Sequence, residues 1–410
     1  MENLLNFGRK IIPRRVFEFF QPAYHYILAF LAALFYGFPS RKMKVIGVTG
    51  TKGKSSTVYF LSKIFEEAGH KTAAISSIQF KIDNKEWPNN LKMTMPGRFT
   101  IQSFLSKAVK AGCEFAILEV SSQGVLQHRH QFINFDTAVF TNLAPEHIEA
   151  HGSFENYKGY KLKFFKYANN NHILNKNDKY FADFSSVPAK NKQIYSTDSY
   201  ADIKMNLLGD FNFSNAAAAI KTAELYGVAS ETAKQALENI RSLPGRMEVI
   251  DCPNGESRKF KVIVDYAHTP DSMEAVYRSL KPKLANGAKL ICVFGATGGG
   301  RDKWKRPEYG KISEKYCDEI ILTNEDPYDE NPASILQKIE AGFSSVESVK
   351  SKVRKVIDRK EAIKTGISLA KEGDIVIITG KGSESVMMLA DGKKVHFDDR
   401  EAAREALMSL

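Results

Sequence analysis

The sequence predicts an α/β protein: two wound, mostly parallel sheets in succession, preceded by a short apolar helical segment. Three observations predict it. From residue 44 onward, short runs rich in Val, Ile, Leu and Phe alternate with helical or turn segments. A glycine-rich turn joins the first run to an amphipathic stretch, and a Leu-Pro-Gly turn at 243–245 separates two series of such runs.

In order, strands are expected at 44–48, 114–120, 137–140 and 173–174, then at 261–264, 290–294, 319–322 and 374–379. The stretch 57–68 carries Val58, Leu61, Ile64, Phe65 and Ala68 at helical spacing before a Gly69 stop. The domain boundaries that follow are 1–43 for the apolar and basic segment, 44–243 for a first α/β domain and 244–410 for a second. No internal repeat or low-complexity tract interrupts them.

The first segment is unusual. Residues 21–39 are uncharged unless His25 is protonated, and Lys10, Arg14, Arg15, Arg41, Lys42 and Lys44 flank them. The apolar core is shorter than the roughly 20 residues that span a bilayer, and no small-x-small cleavage site follows it. Two readings stay open: a helix packed on the protein's own body or in a dimer, and a helix lying on a membrane surface through basic and aromatic flanks.

A chain of 410 residues, 43% hydrophobic and 26% charged, can bury full cores in about two to three domains. The net charge of +11 points to anionic partners, yet the basic residues are dispersed and form no aromatic-laced stripe of the kind that binds nucleic acid. Cys113, Cys252, Cys292 and Cys317 lie far apart in sequence, so neither a zinc site nor a disulfide is expected. A reducing cytoplasm fits that usage.

The chemistry starts at 45–56, Val-Ile-Gly-Val-Thr-Gly-Thr-Lys-Gly-Lys-Ser-Ser. Strand, glycine-rich loop and helix in this order build a phosphate cradle. Gly47, Gly50 and Gly53 let backbone N–H groups approach phosphate oxygens, with Thr51, Lys52 and Ser56 in the same loop. Lys54 supplies a cation and Ser55 a magnesium ligand. The spacing departs from the usual phosphate loop, because Val48 stands where a glycine is expected. Two further polar clusters fall at strand ends, Glu119 with Ser121 and Ser122, and Thr141-Asn142 with His147. A carboxylate and an imidazole beside a triphosphate loop make a magnesium site with Ser55. From the residues alone, Glu119 also reads as a cap, His147 as a loop histidine and Lys161 as a solvated helix lysine.

From residue 44 to the C-terminus the chain resembles the Mur ligase family, most closely its E-type branch. The residues that carry the resemblance are the 47–56 loop, Glu119-Val120-Ser121-Ser122, Gln127-His128-Arg129, Tyr157-Lys158-Gly159-Tyr160-Lys161, Gly209-Asp210-Phe211-Asn212, Pro244-Gly245-Arg246, Asp265-Tyr266-Ala267-His268, Gly380-Lys381-Gly382 and Phe397-Asp398-Asp399-Arg400. The resemblance implies an ATP- and Mg2+-dependent ligase of peptidoglycan precursor synthesis. Such an enzyme phosphorylates a muramyl-peptide carboxylate and lets the amine of an amino acid attack the acyl phosphate.

By the same resemblance Lys54, Glu119, His147 and Lys161 carry the chemistry. Ser55, Glu119, His147 and a carbamylated Lys161 hold metal, while Asn212, Arg246, Asp265 and His268 close over ATP. Thr94, Ser121, Gln127 and Arg129 bind the acceptor. Arg301, Arg306, Asp326, Tyr328, Gly380 and Glu384 line the amino-acid pocket.

The departures are informative too. Met95 and Gln123 replace a family threonine and histidine. The 43 residues before Lys44 are too few for the family's uridine-binding domain, so a lipid-linked acceptor stands beside a UDP-linked one. Tyr328 replaces the arginine of diaminopimelate-adding enzymes, which together with nearby acids favours lysine or ornithine. The competing readings are a folylpolyglutamate-type or peptidoglycan-amidating ligase, and a non-catalytic ATP-binding scaffold at the membrane.

Overall fold

A computed structural model describes residues 14–410 apart from 92, 147, 201, 256, 257, 301, 345, 347, 348 and 350, with backbone alone for 14–19. Two sheets carry it. The first has eight strands: β1 (Lys44–Thr49), β2 (Thr72–Ile75), β3 (Gln79–Ile82), β4 (Lys85–Pro88), β5 (Phe115–Glu119), β6 (Phe135–Phe140), β7 (Asn171–Asn175) and β8 (Asn191–Tyr195). Their order is β4-β3-β2-β5-β1-β6-β7-β8, parallel except for the β2-β3-β4 meander. The central strand β1 reads Val-Ile-Gly-Val with every residue after Lys44 buried, as expected of a strand covered on both faces. Helices cover both faces. Phe104, Phe135, Phe140, Phe164 and Phe165 form one core, and Phe60, Leu61, Ile64 and the alanine run 216–219 form the other.

The second sheet comprises β9 (Glu248–Val249), β10 (Lys261–Asp265), β11 (Leu290–Phe294), β12 (Glu319–Leu322), β13 (Val353–Lys355) and β14 (Ile375–Thr379) in the order β13-β12-β11-β14-β10-β9. Only β9 runs antiparallel. A small hairpin, β15 (Val386–Met388) with β16 (Lys394–His396), follows. The predicted strands are present, with no end shifted by more than two residues. Sequence periodicity misses β2, β3, β4, β8, β9, β13, β15 and β16, each of five residues or fewer and several lying at sheet edges.

Three expectations need correction. Gly47 does not approach phosphate. A Cβ there would fall 2.4 Å from Phe164 and 2.9 Å from Phe135, so this glycine lets β1 pack against the aromatic core. Cys292 and Cys317 form a disulfide, Cα atoms 6.0 Å apart. Their separation of 25 residues hid it, because a crossover helix brings the start of β12 back beside β11. Lys161 is buried, with 2% exposure, and is no solvated helix residue.

The N-terminal segment forms α1 (Arg14–Phe35), with Pro22 inside it. Ala29, Ala32 and Ala33 are buried, while Tyr26, Ile27, Phe30, Leu31, Leu34 and Phe35 remain exposed. Helices α2 (Lys54–Glu67) and α3 (Arg98–Lys110) follow, and α1 packs on α3. Among the described residues no helix is long and apolar enough to cross a membrane.

Candidate active site

The site is assembled at the C-terminal edge of the first sheet, where open α/β sheets bind ligands. β1 delivers the chain into the loop 50–53, and α2 starts at Lys54. Two glycines are required for the path. Gly50 (φ +154°) has Thr141 Oγ1 1.9 Å from where a Cβ would be, and Gly53 (φ +78°) has Asn215 Oδ1 at 2.0 Å. The strand-end residues after β6 then lace the loop. Lys52 N donates to Asn142 Oδ1 (2.9 Å), Thr141 Oγ1 donates to Lys52 O (2.7 Å), and Thr51 Oγ1 meets Tyr157 OH at 3.0 Å. Backbone amides at the positive end of α2 thus form a rigid cradle for phosphate.

Glu119, at the end of β5, is buried and accepts from Ser55 Oγ (2.8 Å), Ser77 N (2.8 Å) and Ser77 Oγ (3.1 Å). Lys54 Nζ donates to Thr51 O at 2.7 Å and lies 3.9 Å from Glu119 Oε1. Ser77 Oγ reaches Thr94 Oγ1 at 3.2 Å, so hydrogen bonds run without a break from the phosphate loop to Thr94. Ser56 is buried in the first turn of α2. Lys161, on the helix Phe154–Tyr167, donates to Gly50 O at 2.6 Å and sits 4.6 Å from the Tyr157 ring centroid. Burial and the neighbouring Lys54 push its pKa well below that of an ordinary lysine, against the pull of Glu146 and Glu119. His147 lies outside the described residues.

The second domain folds over this edge. His268 Nε2 stands 3.5 Å from Glu146 Oε1, and Lys52 Nζ 3.5 Å from Asp271 Oδ2. Asp265, at the end of β10, is buried and accepts from Met247 N (2.8 Å) and Ala267 N (2.7 Å). Burial raises its pKa, opposed by Arg246. The Arg246 guanidinium stacks 4.2 Å over Tyr266. Asn212 is buried, its amide donating to Leu208 O (2.8 Å) and its carbonyl facing Asn215, the neighbour of Gly53.

The other predicted residues fall into two groups. Ser121 caps the helix Ser122–Leu126, and Gln127 Oε1 accepts from Arg129 Nε (3.0 Å) and Nη2 (2.6 Å). In the second domain Lys381 gathers Asp326 (3.1 Å) and Glu384 (3.3 Å), while Glu384 also accepts from Tyr266 OH at 3.2 Å. Gly380 (φ +118°) leaves room for Glu325, whose Oε2 sits 2.1 Å from where a Cβ would be. Tyr328 (φ +51°) packs on Gly299. Arg306 is buried and forks onto Glu330 at 2.9 and 3.1 Å. Arg301 lies outside the described residues. Of the acids at 325–330, Glu325 and Asp326 are therefore buried and Glu330 is paired, while Asp329 stays exposed. Sequence reasoning gave no role to Ser77, Tyr157, Glu146, Glu325 or Lys381. Of these, Lys381 inside Gly-Lys-Gly and Tyr157 in the run 157–161 stood in recognisable motifs.

A phosphate cradle with an adjacent carboxylate and hydroxyl, closed by a second α/β domain, defines a two-domain nucleotide-dependent enzyme. Comparison with known proteins narrows this. Residues 48–201 match the Mur ligase middle domain, and residues 245–382 match the Mur ligase, glutamate ligase domain. The UDP-N-acetylmuramoyl-L-alanyl-D-glutamate--2,6-diaminopimelate ligase of Syntrophomonas wolfei is 35% identical over 409 residues, covering 93% of this chain and 81% of that protein. A solved structure of a ligase of that name superposes with a TM-score of 0.58 at 28% identity, covering 90% of this chain and 78% of the other. Mycobacterium tuberculosis folylpolyglutamate synthase shares the fold, with a TM-score of 0.72 at 16% identity over 93% of this chain and 95% of its own.

The chain belongs to the Mur ligase family. It is an ATP-dependent, ADP-forming ligase of peptidoglycan precursor synthesis.

Proposed function

We propose that the enzyme joins a diamino acid to the carboxylate of a muramyl dipeptide through an acyl phosphate. The observation that carries this is the hydrogen-bonded chain Ser55–Glu119–Ser77–Thr94, which connects the phosphate loop to the acceptor side. The acceptor carboxylate attacks the γ-phosphorus of ATP and ADP leaves. The amine then attacks the acyl carbon, and inorganic phosphate departs with the bonding electron pair and the proton that the amine gives up as the amide forms. The chain's own task is to position these groups and neutralise charge. The amides of 53–56 at the start of α2 and Lys54 hold the phosphates, Thr94 and Arg129 hold the acceptor, and closure through His268 excludes water.

The residues fit Mg2+. Ser55 and Glu119 are hard oxygen donors beside a cradle that no Cβ could share. Bound there, Mg2+ would neutralise charge on the transferring phosphate. Lys161 suits carbamylation, since its lowered pKa favours the neutral amine that takes up CO2 and the product is an anion facing Lys54. A CO2 adduct on the peptide bearing Lys161, seen by native mass spectrometry and lost in Lys161→Arg, would support it.

For the amino acid, Asp326 and Glu384 share Lys381, and Glu330 is matched by Arg306. The acids are thus compensated, and the replacement of arginine by Tyr328 carries the choice of a diamino acid with one carboxylate, lysine or ornithine. ADP release is measured with UDP-linked muramyl dipeptide and lysine, ornithine, diaminopimelate, alanine or glutamate. Turnover confined to lysine or ornithine is expected. Preference for diaminopimelate would overturn the amino-acid choice, and silence with every amino acid would reject the UDP-linked acceptor.

The enzyme works at the inner face of the membrane, which α1 touches through its exposed stripe from Tyr26 to Phe35, with Arg41 and Lys42 exposed beside it. Co-sedimentation with anionic vesicles, weakened by Leu31→Glu, is the expected result. Dimerisation through the same stripe would refute membrane contact.

A further inference from the structure

Where α1 crosses α3, two guanidiniums and two imidazoles meet, and among the described residues no acid lies between them. His25 of α1, Arg98 at the start of α3, and His128 and Arg129 of the turn after the helix Ser122–Leu126 are all partly buried. Both ring nitrogens of His25, Nε of Arg98 and Nδ1 of His128 are buried without a hydrogen-bond partner. The guanidiniums are fixed by neutral groups: Arg98 donates to Gln127 O, and Arg129 to Met95 O and Gln127 Oε1. Tyr26 and Phe132 wall one side, ring centroids 5.0 Å apart, and Tyr26 stands edge-on to His128. Burial followed by the charges of Arg98, His128 and Arg129 pulls the His25 pKa down to about 4. Burial and Arg129 lower that of Arg98 to about 10. Among the described residues no carboxylate offsets this, so the arrangement is costly unless an anion joins it.

The position tells which anion. Arg129 holds the carbonyl of Met95, next to Thr94, and Thr94 leads through Ser77 to Glu119 and the phosphate loop. An acceptor whose carboxylate lies at that loop would extend its far end past Thr94 toward α1.

We infer that His25, Arg98, His128 and Arg129 form a subsite for the diphosphate carried by the acceptor, with α1 as its roof. The inference rests on the ligase reading above. Two planar guanidinium forks match a phosphate pair in charge and shape. The exposed apolar stripe of α1 beside it favours a polyprenyl over a nucleoside carrier.

The test uses the full chain and muramyl dipeptide in three forms: phosphate-free, UDP-linked and polyprenyl-diphosphate-linked in detergent. The diphosphate should lower KM, and Arg98→Gln or His25→Gln should raise KM for diphosphate-bearing acceptors about tenfold, the scale of one charge-assisted contact. kcat, KM for ATP and KM for the phosphate-free form should hold, and an unchanged melting temperature shows that the variants fold. Equal KM with and without diphosphate, or equal loss on all forms, would overturn the subsite. The lower KM of the two carriers identifies the source. Should no acceptor turn over, the ligase reading fails by itself. Titration with inorganic pyrophosphate, with the ATP site filled by a non-hydrolysable analogue, then decides the subsite: binding lost in Arg98→Gln supports it, and no binding rejects it.

Discussion

Lys161 shows how far a single residue's surroundings decide its role. A lysine on a helix ordinarily stays charged in water, yet this one is enclosed between Gly50 O, the Tyr157 ring and Lys54. Lys161→Arg keeps a cation there and forbids a carbamate, so kcat is expected to fall by about 100-fold, comparable to removing one preorganised electrostatic group. Steady-state ADP release measures it. Glu119→Gln leaves a carboxamide among three donors, and a loss of similar size is expected, with a raised Mg2+ requirement read from a metal titration. Glu330 makes a pH prediction. The hydrogen bonds from Arg306 hold its pKa at about 2, below its ordinary value. A depressed acid stabilises the fold above its unfolded pKa and loses that contribution as pH falls through the folded value. The melting-temperature gap between wild type and Glu330→Gln is therefore widest at neutral pH and closes between about 4.5 and about 2.

At the scale of elements, the helix Arg359–Ser368 and the C-terminal helix Asp399–Met408 are joined by a buried ion pair, Arg359 Nε to Asp399 Oδ1 at 2.7 Å with both side chains fully buried, and by the exposed pair Lys360–Glu405. Arg359 also donates to Thr379 O (2.9 Å) and Asn324 O (3.2 Å), tying both helices to the ends of β14 and β12. Breaking a buried pair from one side strands a charge, so Asp399→Asn is expected to cost about 3 to 5 kcal/mol in a denaturant titration. The loop before α2 is the other element with little tolerance. Gly50→Ala would place a methyl group on Thr141, and lost nucleotide binding by calorimetry is the expected outcome.

For the whole molecule, the two domains meet where nucleotide would sit, through Glu146 with His268, Lys52 with Asp271, and Ser385 Oγ with Asn90 Oδ1 at 2.7 Å. The Lys52–Asp271 pair is exposed enough to contribute little, so closure depends on what lies between the domains. ATP with Mg2+ is expected to slow amide exchange at 50–56 and 265–271 together. In His268→Ala only the first segment should remain protected.

The sequence by itself determined the α/β class, the phosphate loop, half of the strands and the family, because buried parallel strands and a glycine-rich strand-to-helix turn are written in consecutive residues. It also showed that 21–39 is apolar, with basic flanks. Only the tertiary structure decided what depends on distant residues meeting. Gly47 serves packing because Phe164 and Phe135 arrive there from elsewhere in the chain. Cys292 and Cys317 join because a crossover returns one strand beside another. Lys381 gathers acids that sequence left unpartnered, and α1 lays His25 over Arg98 and Arg129. Burial and charge depend on separations in space, and spacing along a chain records these only within one helix, strand or turn.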